Sequence, residues 1–551
     1  MSDSQNRSRL WAYLPLFFSV VLLAGLYLGL RLRSIQTTHP EKRFFSIGLE
    51  RYDKFNDVLN YIYDSYVDSV SRETLIEEAV ENILHNLDPH SGYIPASAFR
   101  EMNDPLMGSF EGIGIEFNMI RDTVVVISPI AGGPSEKAGI MPGDRIIAVE
   151  GDPIAGVRKS TTEVVSMLKG EKGTEVNVSV LRPGVYDPLA FKLVRAKIPS
   201  YSLDIAYMLD DQIGYIRLNK FAATTHLEFM TALERLKAAG MGRLILDLRD
   251  NTGGFLDAAI NIADELLEKG KLIVYTDGRK RPKTFAYARK AGAFETQPLV
   301  VLINEWSASA SEIIAGAVQD NDRGLVVGRR SFGKGLVQEQ VQMGDGSAIR
   351  LTVARYYTPS GRSIQKPYEN GQGEYHSDLI QRFLDGEYED PDNITFSDSL
   401  RYETTGGRVV YGGGGIMPDI FVPLGTNANT GFFNQAVNRG LIYRFAFDYA
   451  DKNRGKLSSY GNAGSFIKGF TTDDTLLRQF LSFAEGEGLK AAHQGLAAGD
   501  PMIRSYLKAY IGRNVFGNEA FFPVLHEIQP EVNKAVEALR NGVELFEQQP
   551  S

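Results

Sequence analysis

Residues 298–341 read PLVVLINEWSASASEIIAGAVQDNDRGLVVGRRSFGKGLVQEQV, and the pattern of this stretch decides the fold. Leu299–Ile303 is a short apolar, β-branched run of the kind that forms a buried strand. A turn follows over Asn304–Ser307, and a helix opens at Ser309 with Glu312 in its first turn. Ile313, Ile314, Ala317 and Val318 then fall at helical spacing. A second buried strand, Leu325–Gly328, leads to a lysine bracketed by glycines in Phe332-Gly333-Lys334-Gly335.

The residues before this stretch repeat the pattern. Ile213–Leu218 reads as a strand, Leu227–Ala239 as an amphipathic helix and Arg243–Leu248 as a buried strand. That strand ends in Arg249-Asp250-Asn251-Thr252-Gly253-Gly254, and Phe255–Glu268 reads as the next helix. Such alternation predicts an α/β layer with a mostly parallel sheet. Paired glycines between strand and helix let the backbone approach a ligand closely. A phosphate loop is excluded because no Lys-Ser/Thr pair follows them.

This arrangement suits acyl transfer. A serine at a strand-to-helix turn sits at the rim of a sheet, where main-chain N–H groups of the helix start can stabilise an oxyanion. Serine needs a base. None of the seven histidines (39, 85, 90, 226, 376, 493 and 526) falls in the stretch. Lys334 is the better candidate, because burial disfavours its charged form and brings its pKa toward neutrality. Taken alone, the Ser-Ala-Ser-Ala-Ser run is an ordinary helix start with Ser307 or Ser309 as N-cap, and Gly-Lys-Gly an ordinary exposed turn.

The combination Ser307-Ala-Ser-Ala-Ser-Glu312 with Ser331-Phe-Gly-Lys-Gly-Leu-Val-Gln338 resembles the carboxyl-terminal processing proteases, PDZ-containing Ser–Lys peptidases of the S41 type. The resemblance implies Ser309 as nucleophile, Lys334 as base and Gln338 as the residue that orients the lysine. It also implies an oxyanion hole from the N–H groups of Gly254 and Ala310, on a crotonase-like α/β core needing no metal or cofactor. Lys334 and Gln338 would be neighbours on a helical turn but about 13 Å apart along a fully extended strand, so their contact requires a turn. Thr252 departs from the family pattern, which often has a third glycine there.

Residues 105–196 resemble a PDZ domain. Gly112-Ile113-Gly114-Ile115 reads as the loop that captures a terminal carboxylate, followed by a strand that pairs with an extended peptide. Ser135–Gly151, with its Ala-Gly-Ile-Met-Pro-Gly-Asp string, matches the family's internal turn and strand. Thr162–Lys169 is expected to be the helix flanking the groove, and Val176–Leu181 a closing strand. Residues 44–104 carry helical spacing and end in Leu87-Asp88-Pro89-His90-Ser91, turn chemistry with no catalytic role implied. After the lysine, Ala348–Tyr357 reads as a strand, and Thr358-Pro-Ser-Gly-Arg362 and Gly412–Asp419 also match the family. The acidic stretch 367–405 reads as a surface insertion within the protease core, 197–425. Residues 430–551 are expected to be a helical extension without nameable chemistry.

Residues 10–30 contain no charge and reach about 30 Å as a helix, enough for one bilayer crossing. Residues 1–33 are therefore expected to be a cytoplasmic tail and uncleaved transmembrane anchor. The rest of the chain would lie on the periplasmic side of the inner membrane, by resemblance more than by the nearly balanced flanking arginines. The net charge of −9 gives no reason to expect nucleic acid, and the absence of cysteine excludes disulfides and thiol chemistry. The expected partners are protein or peptide substrates with C-terminal tails, and a homo-oligomer or an adaptor protein is compatible with the sequence. Two other readings, a catalytically silent PDZ scaffold and a crotonase-like acyl-CoA enzyme, are disfavoured. The first has no need of Ser309, Lys334 and Gln338 together, and the second none of a PDZ insertion or an anchor.

Overall fold

The structure, a computed structural model, describes residues 18–27, 53–369, 371–395, 397–425, 431–490 and 493–541. The chain divides into two units, Met1–Leu75 and Ile76–Ser551. In the first, Lys54–Ser65 is helical as its spacing predicts, with Asp53 capping it through the Asn56 N–H. The expected anchor, 10–30, lies outside the described residues except for 18–27, which are helical. Among the described residues no helix is long and apolar enough to cross a membrane.

The second unit is built on a six-stranded sheet. Its order is Leu203–Met208, Ile213–Leu218, Arg243–Asp247, Leu299–Ile303, Leu325–Gly328 and Ile420–Phe421. The first pair is antiparallel and the remaining pairs are parallel. Strands covered on both faces must be apolar at every position, which is why the central ones read as continuous hydrophobic runs. Leu244, Leu246, Val301 and Ile303 pack with the helices Thr225–Ala238, Leu256–Leu266 and Ala310–Asp320. The alternate residues Ile245, Val300 and Leu302 meet Val532, Ala535, Ala538 and Leu539 of the last described helix, Pro530–Asn541.

The last described helix of the C-terminal extension is therefore part of the α/β core. Glu531 at the start of that helix reaches two buried arginines, Arg329 at 2.9 Å and Arg249 at 3.3 Å. The helices between Gly431 and His526 enclose a core rich in phenylalanine, including Phe432, Phe445, Phe466 and Phe480. They also meet the PDZ-like module through Arg145–Asp451 at 2.9 Å and Arg121–Asp448 at 3.1 Å. That module is a sheet in the order Ile115–Met119, Val124–Pro129, Arg145–Val149, Glu175–Leu181 and Leu189–Val194, packed against the helix Thr161–Leu168. Ser160 and Glu163 cap that helix reciprocally.

A second antiparallel sheet carries the lysine segment. Leu336–Gln342 pairs with the long strand Ala348–Tyr357, which also pairs with Gly92–Ile94 and Leu272–Asp277. The stretch 367–405, expected as a surface insertion, contains the helix Gln372–Leu384, which buries Tyr375 and Arg382. Arg382 donates to the Ser331 carbonyl at 2.8 Å, so this segment props the loop that precedes Lys334.

Glu531→Ala removes one of two carboxylate partners from each of two buried guanidinium groups, leaving Asp247 and Glu305. It is expected to cost about 1–3 kcal/mol of stability in denaturant unfolding of the full chain. A change within about 0.5 kcal/mol would show that the extension is not coupled to the core through this residue.

Candidate active site

Ser309 stands where the strand Leu299–Ile303 passes into the helix Ala310–Asp320, with φ 55° and ψ −111°. A serine held at positive φ is strained backbone, sustained only by its surroundings. The surroundings are explicit. The Ser307 hydroxyl donates to the Leu248 carbonyl at 2.8 Å, the Ala308 N–H to Asn251 O at 3.0 Å, and the Ser311 hydroxyl to Asn251 O at 2.8 Å. The outer serines thus stitch the turn to the loop after Arg243–Asp247. The middle serine lines a cleft.

Gly253 and Gly254 form the facing wall. A Cβ on Gly253 would lie 2.8 Å from Ser309 Cβ and 3.0 Å from Ala310 N. A Cβ on Gly254, whose φ is +148°, would lie 2.1 Å from the Phe221 carbonyl oxygen. Both glycines are therefore required by close approach. Neither the Gly254 nor the Ala310 N–H has an acceptor among the described residues. Thr252 lines the same cleft.

Lys334 reaches this cleft from the second sheet. Its Nζ donates to Gln338 Oε1 at 3.1 Å. The geometric difficulty posed by the sequence is resolved in two places. Lys334 lies in a loop before the strand Leu336–Gln342, with Gly333 at φ +90°, and the strand shifts register between Val337 and Gln338. The loop is held by a partner that sequence reading noted only as a first-turn acid. Glu312 Oε1 accepts from the Ser331 hydroxyl at 2.6 Å and the Gly333 N–H at 2.7 Å. Its Oε2 accepts from the Ser309 N–H at 2.8 Å and the Lys334 N–H at 2.9 Å. Ser-x-x-Glu at a helix start is the available signal, but it announces only the Ser309 half. Tyr356 is the second unforeseen partner: its buried hydroxyl donates to the Lys334 carbonyl and lies 3.1 Å from the Ser309 carbonyl.

Ser309, Ala310, Gly254, Lys334 and Gln338 line one cleft of about 320 Å³ with Arg350 and Tyr356. Burial lowers the Lys334 pKa from 10.5 to about 8, helped by the Arg350 charge and opposed by Glu312 and Asp88. Burial raises the Glu312 carboxyl to about 7 against the pull of its four donors. A hydroxyl, an amine with a lowered pKa and two unpaired N–H groups in one cleft are the parts that acyl transfer to serine requires.

Gly112, Ile113, Gly114 and Ile115 lie apart from this cleft, in the PDZ-like module. Gly114 has φ +75°, and the Ile113 and Gly114 N–H groups have no acceptor among the described residues. Among the described residues Ile115–Met119 is an edge strand paired only with Val124–Pro129.

Comparison with known proteins agrees with this division. The profile of peptidase family S41 matches residues 212–370, that of the PDZ domain residues 112–193, and that of a family of unknown function residues 432–517. The carboxy-terminal-processing protease of Bartonella bacilliformis is 38% identical over 355 residues, covering 63% of this chain and 80% of that protein. This chain belongs to the carboxy-terminal-processing proteases. It is a serine endopeptidase of family S41 with a PDZ domain. The carboxyl-terminal-processing protease of Synechocystis sp. is 35% identical over 376 residues, covering 65% of this chain and 85% of that one. A solved photosystem II D1 C-terminal processing protease is 32% identical, covers 56% of this chain and 89% of its own, and has a TM-score of 0.33.

Two substitutions probe the site. Glu312→Gln puts an amide nitrogen before donors that need an acceptor. It is expected to lower stability by about 2–4 kcal/mol and activity by more than about 100-fold, read from unfolding and initial rates. Lys334→Met should be inactive yet melt higher than the parent at neutral pH. Because the folded-state pKa of Lys334 is depressed, the cost of burying its ammonium is complete below about pH 8 and disappears as pH rises toward 10.5. The difference in melting temperature should shrink over that window.

Proposed function

We propose that this protease works by a Ser–Lys mechanism and draws the C-terminal tail of a protein substrate onto its PDZ domain. Neutral Lys334 takes the proton of the Ser309 hydroxyl as the oxygen attacks the scissile carbonyl. The oxyanion lies between the N–H groups of Gly254 and Ala310, which are already aimed and need no reorganisation. The Lys334 ammonium, held by Gln338 Oε1, gives its proton to the leaving amine. Lys334 then serves as base for the water that releases the acyl group. The observation carrying this reading is the Lys334–Gln338 contact at 3.1 Å, in the cleft that Ser309 lines.

The open edge of Ile115–Met119 suits an added peptide strand, and the free Ile113 and Gly114 N–H groups suit its terminal carboxylate. We also propose that residues 10–30 tether the enzyme to the inner membrane with its catalytic unit outside the cytoplasm, on the strength of their length and lack of charge.

On an unfolded protein with an apolar C-terminal tail, Ser309→Ala and Lys334→Ala are both expected to abolish cleavage while melting normally. For the parent, kcat/KM should rise about tenfold per pH unit and level off above about pH 8, where Lys334 loses its proton. Cleavage that persists in Lys334→Ala would assign the base elsewhere. Resistance to alkaline carbonate extraction is the expected behaviour of the tethered chain, and release into the supernatant would reject the anchor.

A further inference from the structure

We infer that the turn Asp88-Pro89-His90-Ser91 positions the Gln338 amide, by presenting the His90 carbonyl to its Nε2. The inference rests on the Ser–Lys reading and goes beyond it. A carboxamide has two ends of nearly equal size, and only the oxygen can accept a hydrogen bond from Lys334 Nζ. Which end faces the lysine is set by what the other end meets. Here Gln338 Nε2 donates to the His90 main-chain oxygen at 2.6 Å, leaving Oε1 to receive Lys334 at 3.1 Å.

The turn that supplies this carbonyl is held on every side. Asp88 Oδ1 accepts from the His90 and Ser91 N–H groups, both at 2.8 Å, and Oδ2 from the Ser91 hydroxyl at 2.6 Å. Thr352 binds the turn twice: its N–H donates to Ser91 Oγ at 3.0 Å and its hydroxyl to Asp88 Oδ1 at 3.1 Å. Thr352 is the residue directly across the hairpin from Gln338. The carbonyl and the amide it orients are therefore fixed to the same pair of strands. The His90 ring turns the other way, its Nε2 2.7 Å from the Tyr375 hydroxyl. Asp88 and Ser91 are buried, and neither is among the residues lining the catalytic cleft. The role of this motif is main-chain placement, with its aspartate holding the turn and its histidine anchoring it.

The test is a double-mutant cycle on the full chain, read as kcat and KM on the pH plateau above about 8, where Lys334 ionisation no longer contributes. Asp88→Ala is expected to lower kcat by about 10–100-fold with KM little changed, as for a small misplacement of a catalytic group. In a Gln338→Ala background the same substitution should change kcat by less than about threefold. Asp88→Asn, which keeps an acceptor for the two N–H groups, should restore most of the loss. Thr352→Val, which removes only the hydroxyl donor to Asp88, is the milder variant should Asp88→Ala fail to fold. It should show a smaller loss that likewise disappears without Gln338. Equal losses in both backgrounds, or no loss in Gln338→Ala alone, would overturn the inference. Cleavage by Lys334→Ala would instead reject the Ser–Lys reading itself.

Discussion

Four hydrogen bonds to one buried carboxylate hold the two halves of this candidate active site together. Glu312 is fully enclosed and receives the N–H groups of Ser309, Gly333 and Lys334 and the hydroxyl of Ser331. Burying a carboxylate is unfavourable unless its lone pairs are filled. These four donors fill them, and they come from the helix start at Ser309 and from the loop around Lys334. The helix start and the lysine loop belong to different sheets, so without this residue their relative position would rest on packing alone. Tyr356 adds a second clasp, its hydroxyl lying against the main chain of both. These bonds over-determine the conformation of Ser309 and so sustain its strained backbone.

The same logic extends outward. The parallel sheet is apolar on both faces, so it requires cover on both. Helices between its strands cover one face, and the helix Pro530–Asn541 covers the other. Glu531 of that helix ties Arg249, just before the loop of Gly253 and Gly254, to Arg329, which also pairs with Glu305 in the turn before Ser309. The helix Pro530–Asn541 is thereby connected to both walls of the cleft. Other helices of the extension ion-pair with the PDZ domain, so one segment contacts both the PDZ domain and the α/β core.

The element order was legible because hydrophobic period and glycine placement are local. Leu299–Ile303, Leu325–Gly328 and Arg243–Asp247 are strands where unbroken apolar runs predict them. Gly253 and Gly254 stand where a side chain would collide with Ser309 or Phe221. The sequence alone left the choice among three serines to family resemblance. In the structure Ser307 and Ser311 use their hydroxyls on main-chain carbonyls, while Ser309 lines the cleft.

By itself the sequence determined the α/β core and the PDZ domain, since both are written in local hydrophobic period and glycine placement. Tertiary structure alone decided what orients those residues. The contact of Gln338 with the His90 carbonyl joins positions 248 apart in the chain, and that of Arg329 with Glu531 positions 202 apart. The acidic stretch 367–405 likewise reads as a surface insertion, yet its helix buries Arg382 against the Ser331 carbonyl. Such pairings leave no periodic trace, because a carbonyl or a lone carboxylate acquires its role only from what folding brings within about 3 Å of it.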